Sequence, residues 1–278
     1  MKLHFYGTAA SEGVPAAFCE CRYCQKIRKA GGKNLRMRTC VQLDEDVLID
    51  FSMDTYAQTL FRNLDLSVIS HLLVTHSHED HFFPATLTSI LPPWAFYDRK
   101  RSLDVYGNEK IIQKVVEAIE NLGEDHGKTE EYLKLHQLRY YQGFSLGKYY
   151  VMPLPANHDK KENCMIYIIR DQEKTLLYGH DSSMFCRETW QKLKDYRFDC
   201  VVLDCTMVEE TGVYAGHMGL PDNIRVRDRM LAEGMATEET KFVLTHFVHR
   251  FNPLHERITP IFAEKGFLAA YDGMDVEF

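Results

Sequence analysis

Short runs of apolar and β-branched residues, bounded by Gly, Asp, Asn or Pro, recur along the chain in the pattern typical of β-strands. Strands are predicted at 2–8, 40–43, 46–51, 71–75, 103–107, 148–154, 164–170, 175–178, 200–204 and 241–245. Between them, longer segments repeat apolar residues at helical spacing, as Ile111, Val115 and Ile119 do. Helices are predicted at 56–63, 109–121, 188–195, 221–233 and 254–264.

Many strands with interspersed helices and no internal repeat predict a layered α/β architecture. The first strands follow one another closely, which predicts antiparallel hairpins, one of them turning at 44–46. The polar segment 121–138 is predicted to be an exposed excursion. Because no linker rich in Gly, Pro or Ser interrupts the chain, one domain spanning 1–278 is expected.

The composition is ordinary apart from histidine, with 278 residues, 45% of them hydrophobic, 13 His and a formal net charge of −7. A general nucleic-acid binder would carry a basic surface, so long nucleic acid is not an expected partner. Small anions remain acceptable, because local cations or metals can override the global field. No apolar run reaches the roughly 20 residues of a membrane helix, and the N-terminus lacks a signal-peptide core. A cytoplasmic protein without a membrane partner is expected.

Three of the 8 cysteines, Cys19, Cys21 and Cys24, lie close together near the N-terminus. Thiols at this spacing can converge on one tetrahedral ion, whereas coincidental surface thiols would oxidise readily. The spacing therefore predicts a metal site that needs a fourth ligand from elsewhere in the chain. The remaining single cysteines are interpreted as small buried hydrophobes.

The strongest chemical signal is a segment that directly follows the predicted strand 71–75 and contains His76, His78, Asp80 and His81. Imidazole nitrogens and carboxylate oxygens suit zinc, manganese or iron. The four side chains could close around one ion, or their alternate spacing could divide them between two ions. A polar loop without metal is disfavoured, because these groups would repel one another when protonated.

This His-x-His-x-Asp-His motif resembles the signature of the metallo-β-lactamase superfamily, whose members are mostly hydrolases. The resemblance implies an α/β fold, a four-layer αββα sandwich with metals at one edge, and three further ligands that each follow a later strand. The chain offers these in order as His158, Asp181 and His246, and His180 is expected to support the ligands or the fold. The implied ligand sets are His76, His78 and His158 for one ion, Asp80, His81 and His246 for the second, and Asp181 as the bridge.

Two further features resemble one subfamily, the cyclic-phosphate phosphodiesterases of the carbon–phosphorus lyase pathway. The segment 7–15 resembles that family's glycine-rich opening, and His249 stands three residues after His246. Members of the subfamily carry a separate structural zinc, here implied on Cys19, Cys21, Cys24 and His249. The implied cofactors are two divalent ions at the active site (zinc, manganese or iron) and this structural zinc.

His217 lies just before the predicted helix 221–233. Related phosphodiesterases and transfer-RNA 3′-processing nucleases have a His in a comparable place, near the scissile phosphate, as general acid or charge stabiliser. The alternative is a helix-entry loop residue. His217 and Asp80 are the expected catalytic residues. The segment 82–84, Phe-Phe-Pro, stands where many members place a Gly; these bulky residues could narrow the site or form a hydrophobic wall, and their role is left open.

The resemblance implies a metal-dependent phosphodiesterase that hydrolyses small, cyclic phosphate diesters with a hydroxide held between two metals. Phosphoribosyl 1,2-cyclic phosphate and 2′,3′-cyclic nucleotides are the candidate substrates. Two alternatives remain. A transfer-RNA 3′-processing endonuclease is opposed by the net charge of −7, and a non-catalytic metal-binding scaffold is opposed by the complete ligand set. A homodimer is left open.

Overall fold

Most of the predicted apolar runs become strands of two seven-stranded sheets in the computed structural model, which describes residues 1–98, 100–123 and 129–278. The strands are β1 (Lys2–Gly7), β2 (Cys40–Leu43), β3 (Val47–Ile49), β4 (His71–Leu73), β5 (Leu103–Gly107), β6 (Leu133–Gln137), β7 (Phe144–Leu146), β8 (Tyr149–Pro155), β9 (Met165–Arg170), β10 (Thr175–Gly179), β11 (Cys200–Asp204), β12 (Lys241–Thr245), β13 (Phe267–Ala269) and β14 (Met274–Glu277). The helices are α1 (Arg22–Ala30), α2 (Thr55–Phe61), α3 (Pro84–Leu87), α4 (Glu109–Glu120), α5 (Arg187–Leu193), α6 (Leu220–Ala232) and α7 (His255–Glu264).

The two sheets have the same arrangement, with antiparallel strand pairs at one end and parallel pairs at the other. The first has the order β14-β1-β2-β3-β4-β5-β6, and the second has the order β13-β12-β11-β10-β9-β8-β7. In the first sheet the pairs from β14 to β3 are antiparallel, which confirms the predicted hairpins, and the pairs from β3 to β6 are parallel. The second sheet is antiparallel from β7 to β10 and parallel from β10 to β13. Parallel strands end at a common edge, so the loops that follow them converge.

The central core lies between the sheets, where Phe5 and Leu73 of the first meet Tyr167 and Val243 of the second. Helices cover both outer faces: α4 packs on the first sheet, and α5, α6 and α7 pack on the second. Full burial of one large apolar side chain contributes about 1.5–3 kcal/mol. These layers confirm the αββα sandwich. Among the described residues, no helix is long and apolar enough to span a lipid bilayer.

The prediction of an exposed excursion at 121–138 is wrong for its last part, because β6 (Leu133–Gln137) pairs in parallel with β5 at the edge of the first sheet. Residues 124–128 of that segment lie outside the described residues. In β6, Leu133 and Leu135 join the outer apolar cluster, while Lys134 and His136 alternate with them. An edge strand with one solvated face has the polarity of a loop.

Candidate metal centre

The segment with the clustered histidines follows β4 at the edge where the parallel strands end. Asp50, directly after β3, holds it in place, because its carboxylate accepts hydrogen bonds from the Thr75 backbone N–H at 2.8 Å and the Thr75 hydroxyl at 2.9 Å. Asp50, Asp181 and His246 adopt positive φ angles of 64°, 48° and 65°. Residues other than glycine seldom adopt this conformation, and it is enriched at functional sites.

The first predicted ligand set comes together in the structure. His78 Nδ1 lies 3.0 Å from His76 Nε2 and 3.4 Å from His158 Nε2. Asp181 Oδ2 lies 3.3 Å from His76 Nε2 and 3.4 Å from His158 Nε2. Four atoms that surround one ion tetrahedrally at about 2.1 Å stand about 3.4 Å from each other. This set therefore fits a single tetrahedral cation.

The second set stands beside the first. Asp80 Oδ2 lies 3.3 Å from His81 Nε2 and 3.4 Å from His246 Nε2. The oxygen that Asp181 contributes to the first set is also 3.2 Å from His81 Nε2. Among the residues that the structure describes, the buried Nε2 atoms of His81 and His246 have no hydrogen-bond partner. Because buried polar atoms are rarely left unpaired, these nitrogens fit a second divalent ion, with Asp181 between the two.

Two carboxylates that the sequence analysis missed orient the imidazoles. Asp50 accepts from His81 Nδ1 at 2.9 Å. Asp204, at the end of β11, accepts from the Thr206 hydroxyl at 2.8 Å, and that hydroxyl accepts from His246 Nδ1 at 2.8 Å. With Nδ1 engaged, Nε2 is the nitrogen left to face an ion. The sequence feature that could have identified them is an acidic residue at the end of an apolar run, as in Val201-Val202-Leu203-Asp204.

His217 lies next to the two ligand sets. Its Nδ1 is 3.0 Å from Asp204 Oδ2 and 3.1 Å from Asp181 Oδ1. Burial opposes protonation of this imidazole, but the two carboxylates outweigh burial and raise its pKa to about 11. The ring is on the wall of a cavity of about 410 Å³ that also reaches His78, His158 and Asp181.

Burial and charge act against each other on the ligands too. Burial would raise the pKa of Asp80 and Asp181, but the neighbouring imidazoles outweigh it and hold both pKa values well below the usual range. Burial would lower the pKa of His246, but the carboxylates around it raise that pKa to about 9. The protein thus keeps its carboxylates ionised at the point where cations would bind.

A family model described as the β-lactamase superfamily domain matches residues 45–247. The chain belongs to the metallo-β-lactamase superfamily. It is a metal-dependent hydrolase of that fold. No curated protein sequence matches the chain.

Solved structures show the same superfamily fold over the whole chain. A diphosphatase from the PhnP family is 22% identical, with a TM-score of 0.74 over 100% of this chain and 97% of that one. Zn²⁺-bound PqqB from Methylobacterium extorquens is 15% identical, with a TM-score of 0.73 over 100% of both chains. Human tRNase Z, short form, is 16% identical, with a TM-score of 0.67 over 100% of this chain and 99% of that one. Identities this low show a common fold alone.

This metallo-β-lactamase-superfamily chain has a separate cluster at the start of α1. The ligand atoms of Cys19, Cys21, Cys24 and His249 lie within 4.8 Å of one another. His249 Nδ1 is 3.3 Å from Cys24 Sγ and 3.8 Å from Cys21 Sγ. Burial opposes ionisation of Cys21, but hydrogen bonds from the Cys24 backbone and His249 outweigh it and lower its pKa to about 6. Three sulfurs and one nitrogen suit tetrahedral zinc.

His180 lies beneath the two ligand sets. Its ring packs against those of His81 and His246 at 5.3 Å and 4.8 Å between centroids, and it stacks on Tyr178. These contacts place His180 among the residues that support the imidazoles.

Residues 82–84 do not line the cavity of about 410 Å³ that His217 lines, so they form no hydrophobic wall there. The carbonyl of Phe51 accepts from the Phe83 backbone N–H at 2.8 Å, which aligns this segment with the end of β3. Phe82 is consequently buried in the apolar cluster on the outer face of the first sheet.

Proposed function

We propose that this metallo-β-lactamase-superfamily protein is a phosphodiesterase that hydrolyses small phosphate diesters, cyclic ones among them. The observation that carries the proposal is that Asp181 Oδ2 is common to two ligand sets, beside a cavity of about 410 Å³ with His217 on its wall. A cavity of this size suits a small ligand. Two divalent cations, when bound in such a centre, lower the pKa of water and offset charge on phosphoryl oxygens.

The protein's own groups have distinct tasks in this proposal. Asp50 and Asp204 fix the imidazoles, and Asp181 sets the separation of the two ligand sets. His217 keeps Nδ1 on Asp204, so Nε2 is the nitrogen available to the substrate. In the protein without ions, the carboxylates of Asp204 and Asp181 outweigh burial and raise the pKa of His217 to about 11, so the imidazole holds a proton at neutral pH. It can therefore donate that proton to a leaving oxygen or stabilise developing negative charge.

Turnover of bis(p-nitrophenyl) phosphate and of 2′,3′-cyclic AMP tests the proposal, with protein loaded separately with zinc, manganese or iron(II). The Asp80→Ala variant is expected to lose activity, because it removes a ligand of the second set. His217→Gln is expected to keep its metals and lose about 10²–10⁴-fold in kcat. His136→Gln, a change at a histidine that pairs with Asp104 outside both sets, is the control. A folded, metal-replete wild type that turns over no phosphodiester contradicts the proposal.

The substrate panel also separates the alternatives. A diphosphate diester belongs in it because the PhnP-family neighbour is described as a diphosphatase. Tight binding and cleavage of precursor transfer RNA would favour the nuclease alternative, which the net charge of −7 opposes. Metal content by mass spectrometry identifies the ions, since oxygen and nitrogen ligands accept zinc, manganese or iron. The cytoplasmic location and the absence of a membrane partner stay predictions.

A further inference from the structure

We propose that Tyr214, positioned by Arg250, is a specificity-determining residue that stacks on a planar aromatic group of the substrate. The inference rests on the proposed phosphodiesterase function and narrows its substrate class. It favours a diester that carries a nucleoside over one that carries only a sugar or an alkyl group. Four observations lead to it: the residues that line the cavity, the contacts that fix the Tyr214 ring, the short loop that carries both Tyr214 and His217, and the π-faces of the Tyr214 ring.

The wall of the catalytic cavity offers few groups that could recognise the part of the substrate beyond the phosphate. Around the predicted metal ligands, the lining residues are small or aliphatic, such as Ala10, Ala215 and Val248, with Ser11 and Glu12 on the loop after β1. Among the described lining residues, Tyr214 is the one aromatic side chain besides the imidazoles. Tyr214 is therefore the lining side chain that can contact an extended apolar face of the substrate.

The Tyr214 ring is held from two sides. Arg250 Nη1 donates to its hydroxyl at 2.7 Å, and the guanidinium carbon is 6.0 Å from the ring centroid. Phe251 meets the ring edge-on at 5.8 Å between centroids, with an interplanar angle of 63°. The Tyr214 backbone N–H also points to Met207 Sδ at 3.3 Å. A ring fixed before binding loses little conformational entropy when a ligand stacks on it.

The loop that carries Tyr214 is anchored to the metal centre. Gly216 O lies 3.3 Å from His158 Nδ1, so this loop orients a predicted ligand. Gly216 has a φ of +84°, and a Cβ there would stand 2.8 Å from His158 Nδ1. Only glycine allows the loop to run this close. Tyr214 precedes Gly216 by two residues and His217 follows it, so the aromatic ring and the candidate acid are delivered to one cavity by one short loop.

The chemistry of the pair suits a planar aromatic ligand. Bases stack on tyrosine rings whatever their identity, since every base has a π-face, and a nearby guanidinium adds a cation–π contribution. A sugar or alkyl substituent gains little from such a surface. We therefore expect a preference for nucleoside-bearing diesters with little discrimination between bases.

Two substrates with the same five-membered cyclic phosphate test the inference: 2′,3′-cyclic AMP, which has a base, and glycerol 1,2-cyclic phosphate, which has none. Tyr214→Ala is expected to raise KM for 2′,3′-cyclic AMP about 10-fold, with kcat nearly unchanged. The same variant is expected to leave KM for glycerol 1,2-cyclic phosphate unchanged. Tyr214→Phe and Tyr214→Trp keep a ring and are expected to retain the low KM. Arg250→Gln is expected to give a smaller increase than Tyr214→Ala.

Tyr56→Ala is the matched control, because Tyr56 lies on α2 with 64% of its surface exposed and does not line the catalytic cavity. An equal rise in KM for both substrates in Tyr214→Ala would overturn the inference, because it would mark a merely structural role. If the wild type hydrolyses neither substrate and does not hydrolyse bis(p-nitrophenyl) phosphate, the proposed function fails. Calorimetry with AMP and inorganic phosphate then decides on Tyr214 separately. A Tyr214→Ala variant that loses affinity for AMP but not for inorganic phosphate supports the inference. Equal affinities for AMP in the wild type and the variant overturn it.

Discussion

At the residue scale, the arrangement depends on one carboxylate oxygen. Asp181 Oδ2 stands between 3.2 and 3.4 Å from imidazole nitrogens of both ligand sets, on His76, His81 and His158. The other oxygen, Oδ1, faces His217 at 3.1 Å. A single side chain thus links the two sets to the candidate acid. Its positive φ of 48° directs it there from the end of β10.

Asp204 supplies the most informative single substitution outside the ligands. In Asp204→Asn, the amide keeps the size of the side chain but loses the charge that holds His217 and, through Thr206, His246. We expect affinity for one of the two active-site ions to fall by about 10–100-fold, since residues that orient ligands carry effects of this size. Metal titration followed by mass spectrometry measures it. Asp228→Asn, at an exposed position beside Arg227, is the control, and unchanged affinity in Asp204→Asn would contradict the expectation.

The pH dependence of metal uptake follows from the histidines. The pKa of His246 is raised to about 9 in the protein without ions, and a metal ligand must give up its proton. Apparent affinity is therefore expected to rise with pH up to about 9, by at most tenfold per unit for each proton released. Competition with a chelating indicator between pH 6.5 and 10 measures this. A flat profile below pH 9 would contradict it.

The candidate ligands could be predicted because the resemblance to the superfamily signature implies them in order, and each follows a strand whose apolar run is visible. Their orienting partners could not. Asp50 and Asp204 act through hydrogen bonds to Thr75 and Thr206 that form only when separate strand ends meet. The position of Tyr214 in the cavity could not be predicted either, because it depends on contacts with Arg250 and Phe251, which lie more than 30 residues later in the chain.

At the element scale, strands inside the two sheets were predictable and the strands at the sheet edges were not. β13 (Phe267–Ala269) and β14 (Met274–Glu277) are three and four residues long, too short for alternation to show. α1 (Arg22–Ala30) buries only Cys24 and Ile27, so little of its sequence has a helical apolar pattern. What fixes α1 is its contact with the turn His249–Phe251 through the Cys/His cluster.

The cluster gives a prediction at this scale. Cys21→Ser is expected to lose one zinc while the two active-site ions remain, and to lower the thermal midpoint, because α1 is no longer joined to the turn at His249. Mass spectrometry and calorimetry measure the two effects. Cys186→Ser is the matched control, since Cys186 lies at the start of α5 outside the cluster. Loss of all ions would show that the two sites are not separate, and loss of none would show that Cys21 holds no zinc.

At the scale of the whole molecule, the sheets bury a common core, and their edges carry the ligands. The first sheet provides His76, His78, Asp80 and His81, whereas the second provides His158, Asp181 and His246.

Removal of the ions is expected to lower the thermal midpoint, because ligands that bind only the folded state stabilise it. Unfolding followed with and without a chelator measures the shift, and readdition of zinc or manganese should reverse it. A midpoint that does not respond to chelation, in protein shown to have lost its ions, would contradict this expectation.

The division of ligands between the sheets has a mechanical consequence. Each ligand set needs side chains from both sheets, so neither sheet can hold either ion alone. Ions held by these residues would cross-link the two sheets at the edge that carries both ligand sets. The geometry of the metal centre and the contact between the two sheets at that edge would therefore depend on the same ions. A chelator that removes the ions would also remove these cross-links, which lie beside the cavity that Tyr214 and His217 line.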